Sequence, residues 1–203
     1  MSSAKTQQGG NDMETDSSAL KVGGVALAAV AFPGCVTTDS REAVVIRPEI
    51  TAIRDYTYSA SREPISVLKD MARSKSTRER RRLAAELTAF LATDATLDAK
   101  QEACRILWTI GAEENVPGIS KLLWNEKTAD MARFALERLE GAAVDRVFLS
   151  ALDSAPDAAK SGIINSLAAR RTSGAANRIE SLVSNSDPFI SESARSALKV
   201  LAS

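Results

Sequence analysis

The chain has 203 residues, a formal net charge of zero and no histidine. That length holds one ordinary domain or one short helical array, and the missing imidazole excludes Ser-His-Asp and Cys-His nucleophile systems and histidine-ligated metals. Removing Lys5, Lys21, Asp12, Glu14 and Asp16 with the first 35 residues leaves the remainder near neutral, which gives no electrostatic footprint for nucleic acid or an anionic membrane.

Hydrophobic residues make up 44% of the chain but aromatic ones only 4%. An apolar set dominated by Ala, Leu, Val and Ile favours close-packed helices over a strand sandwich, so the expected class is all-α. The two cysteines, Cys35 and Cys104, form neither a CxxC pair nor a disulfide framework.

Residues 1–18 are Ser, Thr, Gln, Gly, Asn and Asp rich without apolar periodicity and are expected to be disordered. Lys21 then introduces VGGVALAAVAF, an apolar run from Val22 to Phe32 that is too short to span a bilayer as a helix of about 20 residues. It fits the apolar region of a secretion signal. The small residue Gly34 followed by Cys35 resembles the lipobox of bacterial lipoproteins, and that resemblance implies acylation at Cys35 with Thr37, Thr38, Asp39 and Ser40 in a flexible tether. The alternative for this stretch is an Ala-rich linker or a short buried helix. The expected organisation is a leader and signal over 1–35, a tether over 36–48 and a helical domain over 49–203. VVIRPEITAIRDYTYSASRE should cap that domain, with Ile50, Ile53 and Tyr56 covering its first helix pair.

From Pro64 onward apolar residues recur at helical spacing between short turns. DAKQEACRILWTIG places Ala99, Ala103, Ile106, Leu107 and Ile110 on one face. Ala132, Ala135, Leu136 and Leu139 repeat that pattern in MARFALERL, as do Ile163, Ile164 and Leu167 in GIINSLAA and Ala194, Ala197, Leu198 and Leu201 in SARSALKVL. Leu107, Leu136, Ile164 and Leu198 follow one another at intervals of 28 to 34 residues, a period that belongs to stacked helix pairs. Shorter partners lie between them, with Ile119, Val147 and Ile179 in like positions.

Nine helices are predicted, over 64–73, 77–92, 96–110, 115–124, 128–139, 141–152, 156–169, 174–184 and 188–202. Gly111, Gly141 and Gly174 fall at junctions, Asn115 and Asp187 stand as caps before Pro117 and Pro188, and Ser76 with Glu79 has capping-box spacing. Each helix is too short to bury its stripe alone, so pairs must stack on one continuous core.

The segment ATLDAKQEACRILWTIGAEENVPGISKLLWNEKTADMARFALERL is similar to bacterial HEAT-repeat proteins, where a helix ending in Ile-Gly is followed by a Val-Pro helix and an MAR-type helix. YTYSASREPISVL and SGIINSLAARR resemble the same group. The resemblance covers most of residues 49–203 and implies a right-handed α/α superhelix whose second helices line a face used for protein contact. It brings no catalytic residues, cofactor or metal.

Arg78, Arg80, Arg81 and Arg82 lie within about one turn, but Glu79 and Glu86 share the helix, which makes this a solvated face rather than a nucleic-acid site. Arg170 and Arg171 fit a helix C-terminus, Cys104 reads as a small buried hydrophobe, and Trp108 beside Leu107 reads as packing. Trp124, Arg146 and Arg178, on the short helices, are the candidate partner-binding residues, because aromatics and arginine serve as anchors. No acidic pair has acid-base spacing, and no phosphate loop or metal cluster is present in the sequence.

The expected function is therefore a non-catalytic interaction module or scaffold for a protein or peptide, with no cofactor and no nucleic acid. It is expected in the cell envelope, touching a membrane only through Cys35. Alternatives are a cytoplasmic location, a bilin lyase-like or DNA glycosylase-like enzyme of HEAT-like class, and a structural component of a larger complex.

Overall fold

The computed structural model describes residues 44–74 and 76–203. Cys35, with the whole leader and residues 36–43 of the tether, lies outside the described residues. Ten α-helices follow one another, with no strand among the described residues. They are α1 (Pro48–Thr51), α2 (Glu63–Ser74), α3 (Thr77–Phe90), α4 (Leu97–Ile110), α5 (Val116–Ser120), α6 (Ala129–Glu137), α7 (Ala142–Ser154), α8 (Asp157–Ala169), α9 (Ala175–Glu180) and α10 (Pro188–Ala202). None is long and apolar enough to cross a membrane.

Seven of the predicted spans end within two residues of the observed ones. The span expected at 115–124 is broken into a 3₁₀ turn at Glu113–Asn115, the single α-turn of α5 and a second 3₁₀ turn at Lys121–Trp124. Pro117 removes a backbone donor and Gly118 is a weak helix former, so tighter i→i−3 bonding takes over at both ends. Asn115 does not cap α5 as expected. Its carbonyl oxygen accepts from the Ala112 N–H at 2.9 Å and its amide donates to the Thr88 hydroxyl at 3.1 Å, which ties this turn to α3. The helix expected at 174–184 stops at Glu180, and Leu182 and Val183 continue it with i→i−3 bonds to Ile179 and Glu180.

Other expected ends hold. Ser76 and Glu79 form the reciprocal capping box of α3, Thr96 accepts from the Ala99 N–H to start α4, and Asp187 accepts from Phe189 and Ile190 ahead of Pro188 in α10. Gly141 and Gly174 have positive φ, 107° and 78°, at the entries of α7 and α9, a backbone conformation that a side chain would strain.

Helices contact their second neighbours as well as their first. Along one series α2 packs on α4, α4 on α6, α6 on α8 and α8 on α10; along the other α1 packs on α3, α3 on α5 and α5 on α7. Each member of the second series also packs on the helix that follows it. The apolar stripes read from the sequence meet between the two series: Ala99, Ala103, Leu107, Ala132, Leu136, Ile163, Ile164 and Ala194 are buried, and Phe148 and Ile119 reach the same core from α7 and α5. Ile50, Ile53 and Tyr56 are buried over the first pair, the capping role expected of them.

Ion pairs lock neighbouring elements. Arg47, just before α1, donates to the Glu86 carboxylate of α3 from its backbone N–H at 3.1 Å, Nε at 2.6 Å and Nη2 at 2.9 Å. Arg170 at the end of α8 does act at a helix C-terminus, but that of α6 rather than its own. It donates to the Glu137 and Leu139 carbonyls at 2.9 and 2.7 Å and to Asp145 of α7 at 2.7 Å.

Candidate functional site

The three candidate residues fall on or beside the second series of helices. Trp124 closes the 3₁₀ turn after α5 and is 42% exposed, with its indole N–H donating to Ser154 at 2.8 Å. Arg178 of α9 pairs with Asp153 and donates to the Leu149 carbonyl. Both thus converge on the last turn of α7, whereas Arg146, one residue after Asp145 in α7, stands exposed with no ion pair among the described residues. The structure brings Trp124 and Arg178 to one place and leaves Arg146 outside it.

A denser constellation occupies the first series, on the outward side of α4 and α6. Trp108 is 37% exposed and Phe134 42% exposed. Their rings stack with centroids 5.6 Å apart and planes 15° apart, and the Arg138 guanidinium lies 5.1 Å from the Trp108 ring. Trp108 is therefore not the packing residue expected from its neighbour Leu107. One helical step of about 100° carries it off the apolar stripe and into line with Gln101 and Arg105. Arg105 itself lies 5.7 Å from the ring of Tyr58, which is also exposed. The signal in the sequence was the pairing of an aromatic with an arginine three or four residues away, Arg105 with Trp108 on α4 and Phe134 with Arg138 on α6.

Beneath this face lies Glu102, wholly buried. Its carboxylate has Arg105 at 2.6 Å, Lys69 at 3.0 Å and Arg62 at 3.5 Å. Burial alone would push the Glu102 carboxyl up, but Lys69 and Arg105 outweigh it and hold the group below the ordinary carboxylate range. Glu86 follows the same logic, with burial opposed and outweighed by Arg47 and then Arg82. Three cations around Glu102 share one anion.

Clefts flank the aromatic stack. A groove of about 170 Å³ between α4 and α6 is walled by Gln101, Arg105, Asp130, Met131 and Phe134. A second of about 170 Å³ between α2 and α4 is walled by Lys69, Arg73, Arg105 and Thr109. Arg105 forms the ridge between them. Beyond Trp108 a wider cleft of about 590 Å³ reaches the turn at 111–114, with Arg138 on one side and Glu113, Glu114 and Glu140 on its rim. Gly141 borders it so closely that a Cβ there would stand 2.8 Å from the Glu113 carboxyl carbon.

Cys104 and part of the arginine cluster serve the packing of the helices. Cys104 is buried between α4 and its neighbours, and that burial pushes its thiol up to about 12. In the arginine cluster, Arg82 pairs with Glu86 at 2.9 Å and Arg81 stands 3.9 Å from Glu114, while Leu83, Leu87 and Phe90 fill the buried side. Among the described residues no group of acidic or sulfur side chains is placed to hold a metal ion.

No protein-family model matches the chain, and no curated protein matches it.

Proposed function

We propose that the chain is a non-catalytic helical-repeat interaction module of the HEAT type that binds a protein or peptide partner on the outward side of α4 and α6. The observation that carries this reading is the exposed Trp108–Phe134 stack with Arg138 over the indole. Aromatic and arginine side chains presented together on rigid helices supply binding energy at low entropic cost, because little remains to be ordered when a partner arrives. The alternating contacts of the two helix series support a repeat architecture, and with it the right-handed superhelix that the resemblance implies.

The non-catalytic part rests on how the reactive groups are used. Glu86 and Glu102, the buried carboxylates drawn below their ordinary range, are spent on joining helices, and the Cys104 thiol is held protonated by burial. The same proposal puts the chain in the cell envelope, tethered through Cys35; the apolar run from Val22 to Phe32 followed by Gly34 and Cys35 supports this.

The test is capture of a partner from lysate by the immobilised full chain and by a Trp108→Ala/Phe134→Ala variant of unchanged helicity. A partner held by the first and lost by the second is the expected result, and undiminished capture by the variant contradicts the assigned face. Membrane fractionation and intact mass of the chain beside a Cys35→Ala variant test the tether separately.

A further inference from the structure

The charge around the aromatic stack is uneven, and its distribution specifies a ligand chemistry. Arg62, Lys69 and Arg105 surround the single carboxylate of Glu102, which is buried beneath them, so positive charge remains in excess on the surface side even with Asp98 nearby at Tyr58. Arg138 has no carboxylate within ion-pair distance among the described residues and rests on the indole instead. Of the nearby acids, Asp70 faces Arg73 and Asp130 shares Arg133 with Glu137, while Asp98 accepts from the Tyr58 N–H and keeps its charge. At the opposite edge, Glu113, Glu114 and Glu140 make the rim of the wide cleft acidic. The face is thus basic toward α2, aromatic in the middle and acidic toward the turn at 111–114.

Resting on the interaction-module reading above, we propose that this face takes an acidic peptide segment bearing one aromatic or large aliphatic side chain. The apolar side chain enters the groove between α4 and α6 against Met131 and Phe134, and the carboxylates lie toward α2 on Arg105 and Arg73. The groove of about 170 Å³ admits one large side chain. Its ridge residue Arg105 can hold Glu102 with one nitrogen and offer the others to a ligand, because a guanidinium presents five N–H donors in a fixed fork. The acidic rim beyond Trp108 repels a carboxylate-rich segment and so fixes its direction along the face.

The experiment measures fluorescence anisotropy of labelled short peptides with the full chain: one of glutamates around a central phenylalanine, its lysine counterpart, its Phe→Ala counterpart, and an oligothymidine as a plain polyanion. The glutamate–phenylalanine peptide binds, with affinity that falls as salt rises, and replacing its phenylalanine weakens it about tenfold. Arg105→Gln and Arg73→Glu each weaken it by about tenfold, whereas Arg78→Glu, at an exposed position of α3, does not. Arg73 is highly exposed and, among the described residues, pairs only with Asp70, so Arg73→Glu keeps the test valid if Arg105→Gln disturbs the fold. Equal or tighter binding of the lysine peptide, equal binding of oligothymidine, or absence of glutamate-peptide binding each overturns the proposal. If Trp108-dependent capture of a partner persists in any of those cases, only the acidic-ligand inference has failed and the interaction-module reading stands.

Discussion

The guanidinium of Arg170 on α8 and the carboxylate of Asp145 on α7 meet at 2.7 Å, and the same guanidinium caps the carbonyls of Glu137 and Leu139 at the end of α6. One side chain therefore fastens three consecutive helices at one junction. Arg170 is mostly buried, so removing it leaves two carbonyls without this donor and Asp145 with the Thr172 hydroxyl in place of a cation. Arg170→Ala is expected to lower stability by about 2–3 kcal/mol, read as the shift of a denaturant unfolding curve. Arg170→Lys should recover only part of this, because one ammonium cannot serve all the acceptors at once.

Glu86 and Glu102 are both buried and both held below the ordinary carboxylate value of 4.5 by their cations. A depressed folded-state value contributes stability that is fully present above the unfolded value and lost as pH falls through the folded one. Stability should be flat toward neutral pH, begin to fall near pH 4.5 and continue to fall below it. Glu86→Gln should lose about 2–3 kcal/mol at neutral pH and show a shallower acid limb, which urea titrations across pH will report.

Arg171 ends α8 with a φ of 50°. The Thr172 N–H bonds to the Leu167 carbonyl and the Arg171 N–H to that of Ala168, a Schellman closure in which glycine is the usual occupant of the left-handed position. A Cβ in that conformation costs about 1 kcal/mol. Arg171→Gly should therefore raise stability by no more than about 0.5 kcal/mol, because glycine's greater freedom when unfolded offsets part of the relief, visible as a slightly higher unfolding midpoint.

Gly118 presents the opposite case. Inside a helix Gly→Ala is ordinarily stabilising, but here a Cβ would stand 2.2 Å from the Thr88 methyl of α3. Overpacking should outweigh helix propensity, and Gly118→Ala is expected to cost about 1–3 kcal/mol. A Gly118→Ala/Thr88→Ser variant, which deletes the clashing methyl, should regain most of it in the same melt.

The helices were legible because the stripes of Ala, Leu and Ile fall at helical spacing, and because caps such as Ser76 with Glu79 act locally. The break at 113–124 was less legible. There Asn115 chooses between capping its own helix and bonding Thr88, a residue distant in sequence, and tertiary contact decides. The aromatic face was hidden for a related reason. Trp108 adjoins Leu107 in sequence, and its exposure depends on Phe134 and Arg138 arriving from α6 to make a surface platform. Arg170 was legible as a helix-end cation but not as the cap of a different helix, because its reach to α6 and α7 follows from how the pairs stack.

The chain has two tryptophans, one on each candidate face, and this makes the central claim directly measurable. A captured partner, or the glutamate–phenylalanine peptide, would be titrated against a Trp124→Phe variant, in which Trp108 alone emits, and against Trp108→Phe, in which Trp124 alone emits. Docking on α4 and α6 predicts a saturable change in emission for Trp108 and none for Trp124. A saturable change confined to Trp124 would contradict the account and move the binding face to the last turn of α7, where Trp124 and Arg178 meet.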